Sequence, residues 1–186
     1  MKEILIQLSA YHTWANQLLL NTIEQLPEEK QKQEVSSSFN SLYKTVLHMW
    51  SAESIWWQRM KLLERINIPA ETFTGDMKEL TMSLLQQNRQ WNEWISHAQE
   101  HHLEHVFQYR NLKREQFKQP IYQMLLHLFN HGTYHRGQLV NILRQLGIEK
   151  IPQTDFIVWS RKEYRISPPA GRAGNTEQGM MNIEVA

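Results

Sequence analysis

The sequence predicts an all-α protein, a four-helix bundle with one long crossover connection and a flexible C-terminal tail. Three observations predict this class. Apolar residues recur at steps of three to five through four long segments, which is the spacing that gives a helix one buried face. Only seven glycines and six prolines interrupt the 186 residues. Four long helices joined through one long connection are typical of a helical bundle.

The first two predicted helices have recognisable boundaries. The first covers residues 3 to 26 and ends at Pro27, because proline cannot continue a helix. The second begins after the serines at 36 to 38, which are favourable N-cap residues. It continues to about Arg65. Each segment has one apolar face, so we expect both helices to pack on a common core.

The third predicted helix runs from Met77 to about His102. The preceding segment, "NIPAETFTGD" at 67 to 76, is typical of a loop because it combines glycine, proline and short polar residues. Within that segment, Thr74 or Asp76 could supply the N-cap.

The crossover lies between the third and fourth helices. Residues 103 to 120 partly alternate and are rich in polar side chains, so they form either an irregular crossover or a short hairpin. The fourth helix then runs from Ile121 to Leu146, with Pro120 at its start and Gly147 as C-terminal cap. A short helix follows from Asp155. We therefore expect one domain over residues 1–166 and a flexible tail over residues 167–186.

Composition excludes several classes of protein. With 20 basic against 19 acidic residues, we expect neither nucleic-acid binding nor adhesion to an anionic membrane. No stretch is apolar enough to predict a transmembrane helix, and the N-terminus lacks the pattern of a signal peptide. There is no cysteine, which excludes disulfides, cysteine metal ligands and a cysteine nucleophile. The expected location is the cytoplasm.

Two histidines of the fourth helix form a possible pair of metal ligands. His131 and His135 are four residues apart, so their Cβ atoms lie about 6 Å apart on one helix face and one ion can reach both. The alternative is that two of the nine histidines have this spacing by chance. Gly132 and Gly137 fall inside the same helix, where each costs about 1 kcal/mol relative to alanine. Together with Arg136, they indicate an interior polar site in which close packing or a ligand requires space.

A third ligand has to come from another helix. His48 is surrounded by mostly apolar residues in the second helix and is the natural choice, although a core histidine with one hydrogen bond is the alternative. His127 lies one further turn away, and the drift around the helix axis points it away from an ion shared by His131 and His135. We therefore expect it either to support the site or to be a core residue. His12 is a weaker candidate of the same kind. For Glu53 we expect a salt bridge, with Arg136 as its partner.

A second group of histidines has a simpler explanation. It lies near the end of the third helix, among Glu100 and Glu104, and no glycine interrupts it. Its members are His97, His101, His102 and His105. Histidines are favourable near a helix C-terminus, so we interpret this group as a solvated helix end.

Four segments of the chain resemble one protein family. "LHLFNHGTYHRGQLVNILRQLG" resembles the C-terminal motif of the DinB family, in its wider grouping with the YfiT-like metal-dependent hydrolases and the thiol transferases. "SFNSLYKTVLHMWSAESIWWQRM" resembles the middle motif, "YHTWANQLLL" the N-terminal motif, and "PQTDFIVWSR" the end of the family pattern. The resemblance covers about residues 1 to 165.

The resemblance implies a fold, a metal and a set of ligands. It implies an up-down four-helix bundle of unusual connectivity, often homodimeric. It also implies a divalent metal, commonly nickel or zinc, bound by three histidines. At the matching motif positions these are His48, His131 and His135. Characterised relatives include isomerases and also transferases that use low-molecular-weight thiols. The resemblance therefore implies that this protein could be an enzyme.

The leading hypothesis is a metal-dependent enzyme, either a thiol S-transferase or a hydrolase, acting on a small electrophilic substrate. Three neutral imidazoles leave an open coordination position, at which water or a thiol is activated. Because the chain has no cysteine, any thiol must be a cosubstrate. The residues that could position substrate, or simply pack, are Asn130, Tyr134, Arg136 and Gln138. The alternatives are a non-catalytic metal-binding or stress-response protein, whose bundle is a dimeric interaction module, and a plain bundle without metal.

Overall fold

The computed structural model describes residues 1–111 and 113–163. Within these residues the chain is mostly helical, with one two-stranded antiparallel sheet, and the predicted all-α class is confirmed. The predicted tail, residues 167–186, lies outside the described residues. No described helix combines the length and apolarity needed to cross a membrane.

Four long helices form the body of the molecule. They are α1 (Lys2–Glu24), α3 (Leu42–Met60), α5 (Met77–His97) and α7 (Ile121–Gln145). Helix α1 packs against α5 and α7, and α3 packs against the same two helices. Thus α1 and α3 lie at opposite corners of the bundle although they are consecutive long helices, which leaves α3 and α7 side by side.

Helix caps explain where two of these helices begin. Ser41, rather than a serine at 36 to 38, caps α3, since its Oγ accepts a hydrogen bond from the Lys44 amide at 3.1 Å. Asp76, rather than Thr74, caps α5 in a reciprocal capping box with Glu79. Each cap satisfies amide groups that the first helical turn leaves without partners.

Shorter elements connect the long helices. These are α2 (Glu28–Lys32), α4 (Pro69–Thr72), α6 (Glu100–Glu104), β1 (Val106–Arg110), β2 (Gln116–Pro120) and α8 (Phe156–Glu163). The crossover is a hairpin in which β1 and β2 pair with Val106 opposite Pro120. The buried side chain of Phe107, between two exposed residues, anchors the hairpin. The third predicted helix ends early, at His97, and α6 is a separate turn of helix.

The core consists of two apolar clusters stacked along the bundle. One contains Leu19, Val46, Leu80 and Ile142 among others, and the second includes Leu5, Trp91, Met124 and Phe129. In α1, α5 and α7, the buried residues between the two clusters include polar ones. A polar layer therefore crosses the middle of the bundle, at the level where the candidate site lies.

Candidate metal centre

Three histidines converge where α3 and α7 pack together. The Nε2 atom of His131 lies 3.2 Å from Nε2 of His48 and 3.0 Å from Nε2 of His135. One ring nitrogen from each histidine lies within 4.8 Å of the others, a geometry that could hold a metal ion. Helix spacing places His131 beside His135, and the contact between the two helices adds His48. The structure thus brings together the three predicted ligands.

Burial favours the neutral form of these imidazoles. Desolvation, followed by the charge of neighbouring His135, lowers the pKa of His48 from 6.5 to about 4. Desolvation and the surrounding histidines lower the pKa of His131 from 6.5 to about 3. Burial also lowers the pKa of His135, against the opposing effect of its hydrogen bond to Gln138. A neutral imidazole is the form that binds a metal, so the cluster is in its ligating state at neutral pH.

A glutamine fixes the orientation of one imidazole. The Nδ1 atom of His135 lies 2.7 Å from Oε1 of Gln138, and an amide oxygen can only accept a hydrogen bond. Nδ1 therefore carries the proton, which leaves the lone pair on Nε2, the nitrogen facing His131. Gln138 is itself held by a hydrogen bond from its Nε2 to Ser38 Oγ at 3.3 Å. The donor set and its orientation both fit a bound divalent ion.

The rings of Phe39 and His127 border the cluster. Phe39 stacks on His48 with ring centres 3.9 Å apart. The His127 ring lies 5.8 Å from that of His131 and 5.7 Å from that of Trp56. His127 is thus a neighbour of the cluster and not a member of the group that could hold the ion, in agreement with the sequence-based expectation.

The four residues predicted to position substrate occupy different environments. Gln138 contacts the cluster directly. Tyr134 is 64% exposed, and its ring centre lies 5.1 Å from that of His135 in a T-shaped arrangement. Asn130 is exposed on α7. Arg136 is 2% exposed and points away from the cluster into the polar layer.

Five buried polar side chains form that layer, with at least one from each long helix. They are His12, Asn16, Glu53, Asn88 and Arg136. Arg136 Nη1 lies 3.1 Å from His12 Nδ1 and 3.1 Å from Asn16 Oδ1. His12 Nε2 lies 2.9 Å from Glu53 Oε1. Asn88 donates to Glu53 Oε2 at 2.7 Å and accepts from Asn16 at 2.9 Å. We call this closed set the polar ring.

Donor chemistry fixes the hydrogen-bond directions around the polar ring. A guanidinium only donates, so His12 accepts at Nδ1 and carries its proton on Nε2, from which it donates to Glu53. The Arg136 guanidinium also fixes the orientation of the Asn16 amide, because the amide oxygen has to face this donor. One further contact, Asn16 Nδ2 at 3.0 Å from His12 Nε2, joins two donors and is therefore not a hydrogen bond in this arrangement. Glu53 then receives one bond on each carboxylate oxygen. Buried charges are stable only when satisfied in this way.

The polar ring corrects the salt-bridge partner that the sequence suggests for Glu53. Glu53 pairs with His12, which stands between it and Arg136, so the direct Glu53–Arg136 salt bridge is wrong. His12 bridges these two side chains and lies outside the three-histidine group. Gly132 explains the close approach, because a Cβ at that position would overlap the His12 ring. The one sequence signal of the ring is a polar residue in the middle of each apolar helix face.

The second histidine group is solvent-exposed, as expected. His97, His101, His102 and His105 are all exposed. His97 Nδ1 lies 2.8 Å from the backbone oxygen of Glu93, within the last turn of α5. Among the described residues, the only group with the geometry to hold an ion is the cluster of His48, His131 and His135.

Comparison with known proteins places these features in a family context. The model of the DinB family matches residues 1–165. The Protein DinB of Bacillus subtilis (strain 168) is 27% identical over 165 residues, which cover 84% of this chain and 93% of the relative. A crystal structure of a DinB-like protein from Bacillus cereus ATCC 10987 matches with a TM-score of 0.59 at 19% identity, over 76% of this chain and 91% of that one. The structural match shows a shared fold.

Proposed function

The chain belongs to the DinB family, and from this premise we propose that it is an enzyme whose three-histidine cluster holds a divalent metal ion. Its substrate would be a small electrophilic molecule. The observation that carries the proposal is the convergence of three imidazoles whose neutral form is favoured at neutral pH. When bound, the ion would supply a nucleophile by lowering the pKa of a coordinated water or thiol.

The chain's own side chains have defined tasks in this proposal. His48, His131 and His135 would supply the three ligand nitrogens. Gln138 would keep the His135 lone pair directed at the ion through its 2.7 Å hydrogen bond. Phe39, stacked on His48, would exclude water from one side of the cluster. Tyr134 is 64% exposed beside His135, so it is available to contact a substrate.

The proposal covers two reactions at one site. A thiol S-transferase would use a low-molecular-weight thiol as cosubstrate, since the chain has no cysteine. A hydrolase would use water. Nickel and zinc are the proposed metals, because imidazole nitrogens suit both. Reaction rates measured with and without added thiols, on a panel of small electrophiles, would distinguish the two reactions.

Metal analysis of protein purified without a histidine tag tests the site. We expect about one equivalent of divalent metal per chain, and its loss in His131→Ala. His101→Ala is the matched control, because it removes an exposed histidine outside the cluster and should leave the metal content unchanged. Unchanged metal in His131→Ala, with the fold intact by circular dichroism, would contradict the proposal.

Homodimer formation is a separate proposal. The outer face of α7 exposes Leu126, Asn130, Tyr134 and Gly137, and such a partly apolar helix face is suited to packing against a second copy. Sedimentation velocity over a range of concentrations should give twice the monomer mass. Leu126→Lys would then shift the protein toward the monomer, and a wild-type protein that sediments as a monomer would refute this proposal.

A further inference from the structure

A cleft outside the three-histidine cluster has the composition of an anion-binding site. It has a volume of about 420 Å³ and lies between the loop after α3 and the β1–β2 hairpin. This volume falls within the range of small-molecule pockets. Two arginines, Arg59 and Arg110, line it together with a single acidic residue, Glu64. The lining therefore carries a net positive charge.

Among the residues that the structure describes, none forms an ion pair with Arg59 in this cleft. Its guanidinium lies over the rings of Trp56 and Tyr109, at 4.8 and 5.4 Å from their centres. Its Nε atom is buried and has no hydrogen-bond partner, and no ion pair involves it among the described residues. An unsatisfied buried donor costs free energy. The terminal Nη1 and Nη2 atoms are not among the buried unpartnered atoms, so this edge of the stacked guanidinium is the one that can make a bidentate contact with a carboxylate.

An unusual helix end adds an apolar wall to the cleft. Helix α3 ends in a Schellman motif, in which the Leu62 amide donates to the Arg59 carbonyl and the Leu63 amide to the Gln58 carbonyl. Leu62 has φ +54°, a conformation that favours glycine at this position. Leu62 is nevertheless a leucine, 68% exposed, and it lines the cleft beside Leu63, which is 52% exposed. A ligand in the cleft would cover this apolar surface.

We propose that this cleft binds a small molecule that carries one carboxylate and a short apolar body. Arg59 binds the carboxylate, and Leu62 and Leu63 cover the apolar part. A monocarboxylate matches the charge of the lining, where two arginines oppose one glutamate. The proposal is independent of the metal, so it can be tested on metal-free protein and can fail or succeed without affecting the proposed function.

Nuclear magnetic resonance titration of the metal-free full chain tests the carboxylate contact. Hexanoate is the probe, and hexanamide is its uncharged counterpart of the same shape. We expect hexanoate to shift the Arg59 Nε–H signal and to bind with a Kd of about 1 mM, while hexanamide and inorganic phosphate bind at least tenfold more weakly. Arg59→Gln should weaken hexanoate binding about tenfold or more. Arg144→Gln, which removes an exposed arginine of α7, should leave binding unchanged.

A second variant separates binding from folding. Leu62→Gly relieves the left-handed conformation and removes the apolar wall, so it should raise the melting temperature and weaken hexanoate binding several-fold. A purely structural leucine would not produce this opposite pair of effects. Equal binding of hexanoate and hexanamide, tighter binding of phosphate, or equal losses in Arg59→Gln and Arg144→Gln would overturn the proposal.

Discussion

The polar ring and the three-histidine cluster meet on α7, where Arg136 of the ring directly follows His135 of the cluster, and they use their histidines in opposite ways. In the polar ring, His12 is 1% exposed, accepts from Arg136 and donates to Glu53. In the cluster, the Nε2 atoms of His48 and His135 both face Nε2 of His131. A closed network stabilises the bundle, whereas imidazoles whose Nε2 atoms face one another retain the capacity to bind a metal.

Their places in the bundle explain this difference. The polar ring receives side chains from all four long helices, so donors and acceptors surround each member. The cluster draws its three histidines from α3 and α7 alone, and it borders the surface through Tyr134, which is 64% exposed. The following predictions test whether the first region acts in stability and the second in metal binding.

The largest expected effect is the loss of the carboxylate in the polar ring. Glu53→Ala leaves the buried Arg136 charge without its compensating anion and His12 without an acceptor, and it should lower the free energy of unfolding by about 3–5 kcal/mol. Urea denaturation measures this loss. Glu93→Ala, which removes an exposed carboxylate of α5, is the control and should change stability by less than about 0.5 kcal/mol. Similar losses in both variants would show that the ring is not the stabilising element.

Removing the orienting glutamine should affect metal binding instead. Gln138→Ala deletes the acceptor of the His135 Nδ1 proton and should weaken metal affinity about 10- to 100-fold. Competition with a chelator measures the affinity, and the urea midpoint of the metal-free protein should remain nearly unchanged. Gln145→Ala, at the end of the same helix, is the control. Undiminished affinity in Gln138→Ala would remove this residue from the site.

Two glycines of α7 should respond to alanine with opposite signs. Gly132→Ala places a methyl group against the His12 ring and should destabilise the fold by about 1–3 kcal/mol. Gly137→Ala meets no atom within 4 Å and should stabilise it by about 0.5–1 kcal/mol, because alanine is the better helix former. Thermal unfolding of the two variants compares the signs directly. Equal shifts of the melting temperature in one direction would mean that the polar ring does not require a residue without a Cβ at position 132.

The last prediction is a pH dependence that originates in the cluster. In the folded chain the pKa is about 4 for His48 and about 3 for His131, against 6.5 in the unfolded chain. Below pH 6.5 the unfolded chain binds more protons, so the metal-free fold should lose stability as the pH falls from 6.5 toward 4. Melting temperatures between pH 7 and 4 measure this slope, which should be shallower in His131→Leu. An identical slope in that variant would assign the effect to other groups.

The long helices and one pair of histidines could be predicted from local sequence pattern alone. Apolar periodicity acts within a single segment, and hence it located α1, α3, α5 and α7 without knowledge of their packing. The four-residue step from His131 to His135 also defines a shared face locally. The choice of Asp76 over Thr74 as a cap, and of a hairpin over an irregular crossover, depended on contacts that the sequence pattern does not specify.

The partners of the buried polar residues depend on how the helices pack. His12 and Arg136 are 124 positions apart, and Asn16 and Asn88 are 72 apart. On its own helix, each polar-ring residue interrupts an apolar face, which predicts burial and does not name a partner on another helix. The Glu53–Arg136 pair was therefore assigned without His12 between them. The packing of α1 and α3 at opposite corners, each against α5 and α7, is what closes the ring and brings His48 to His131.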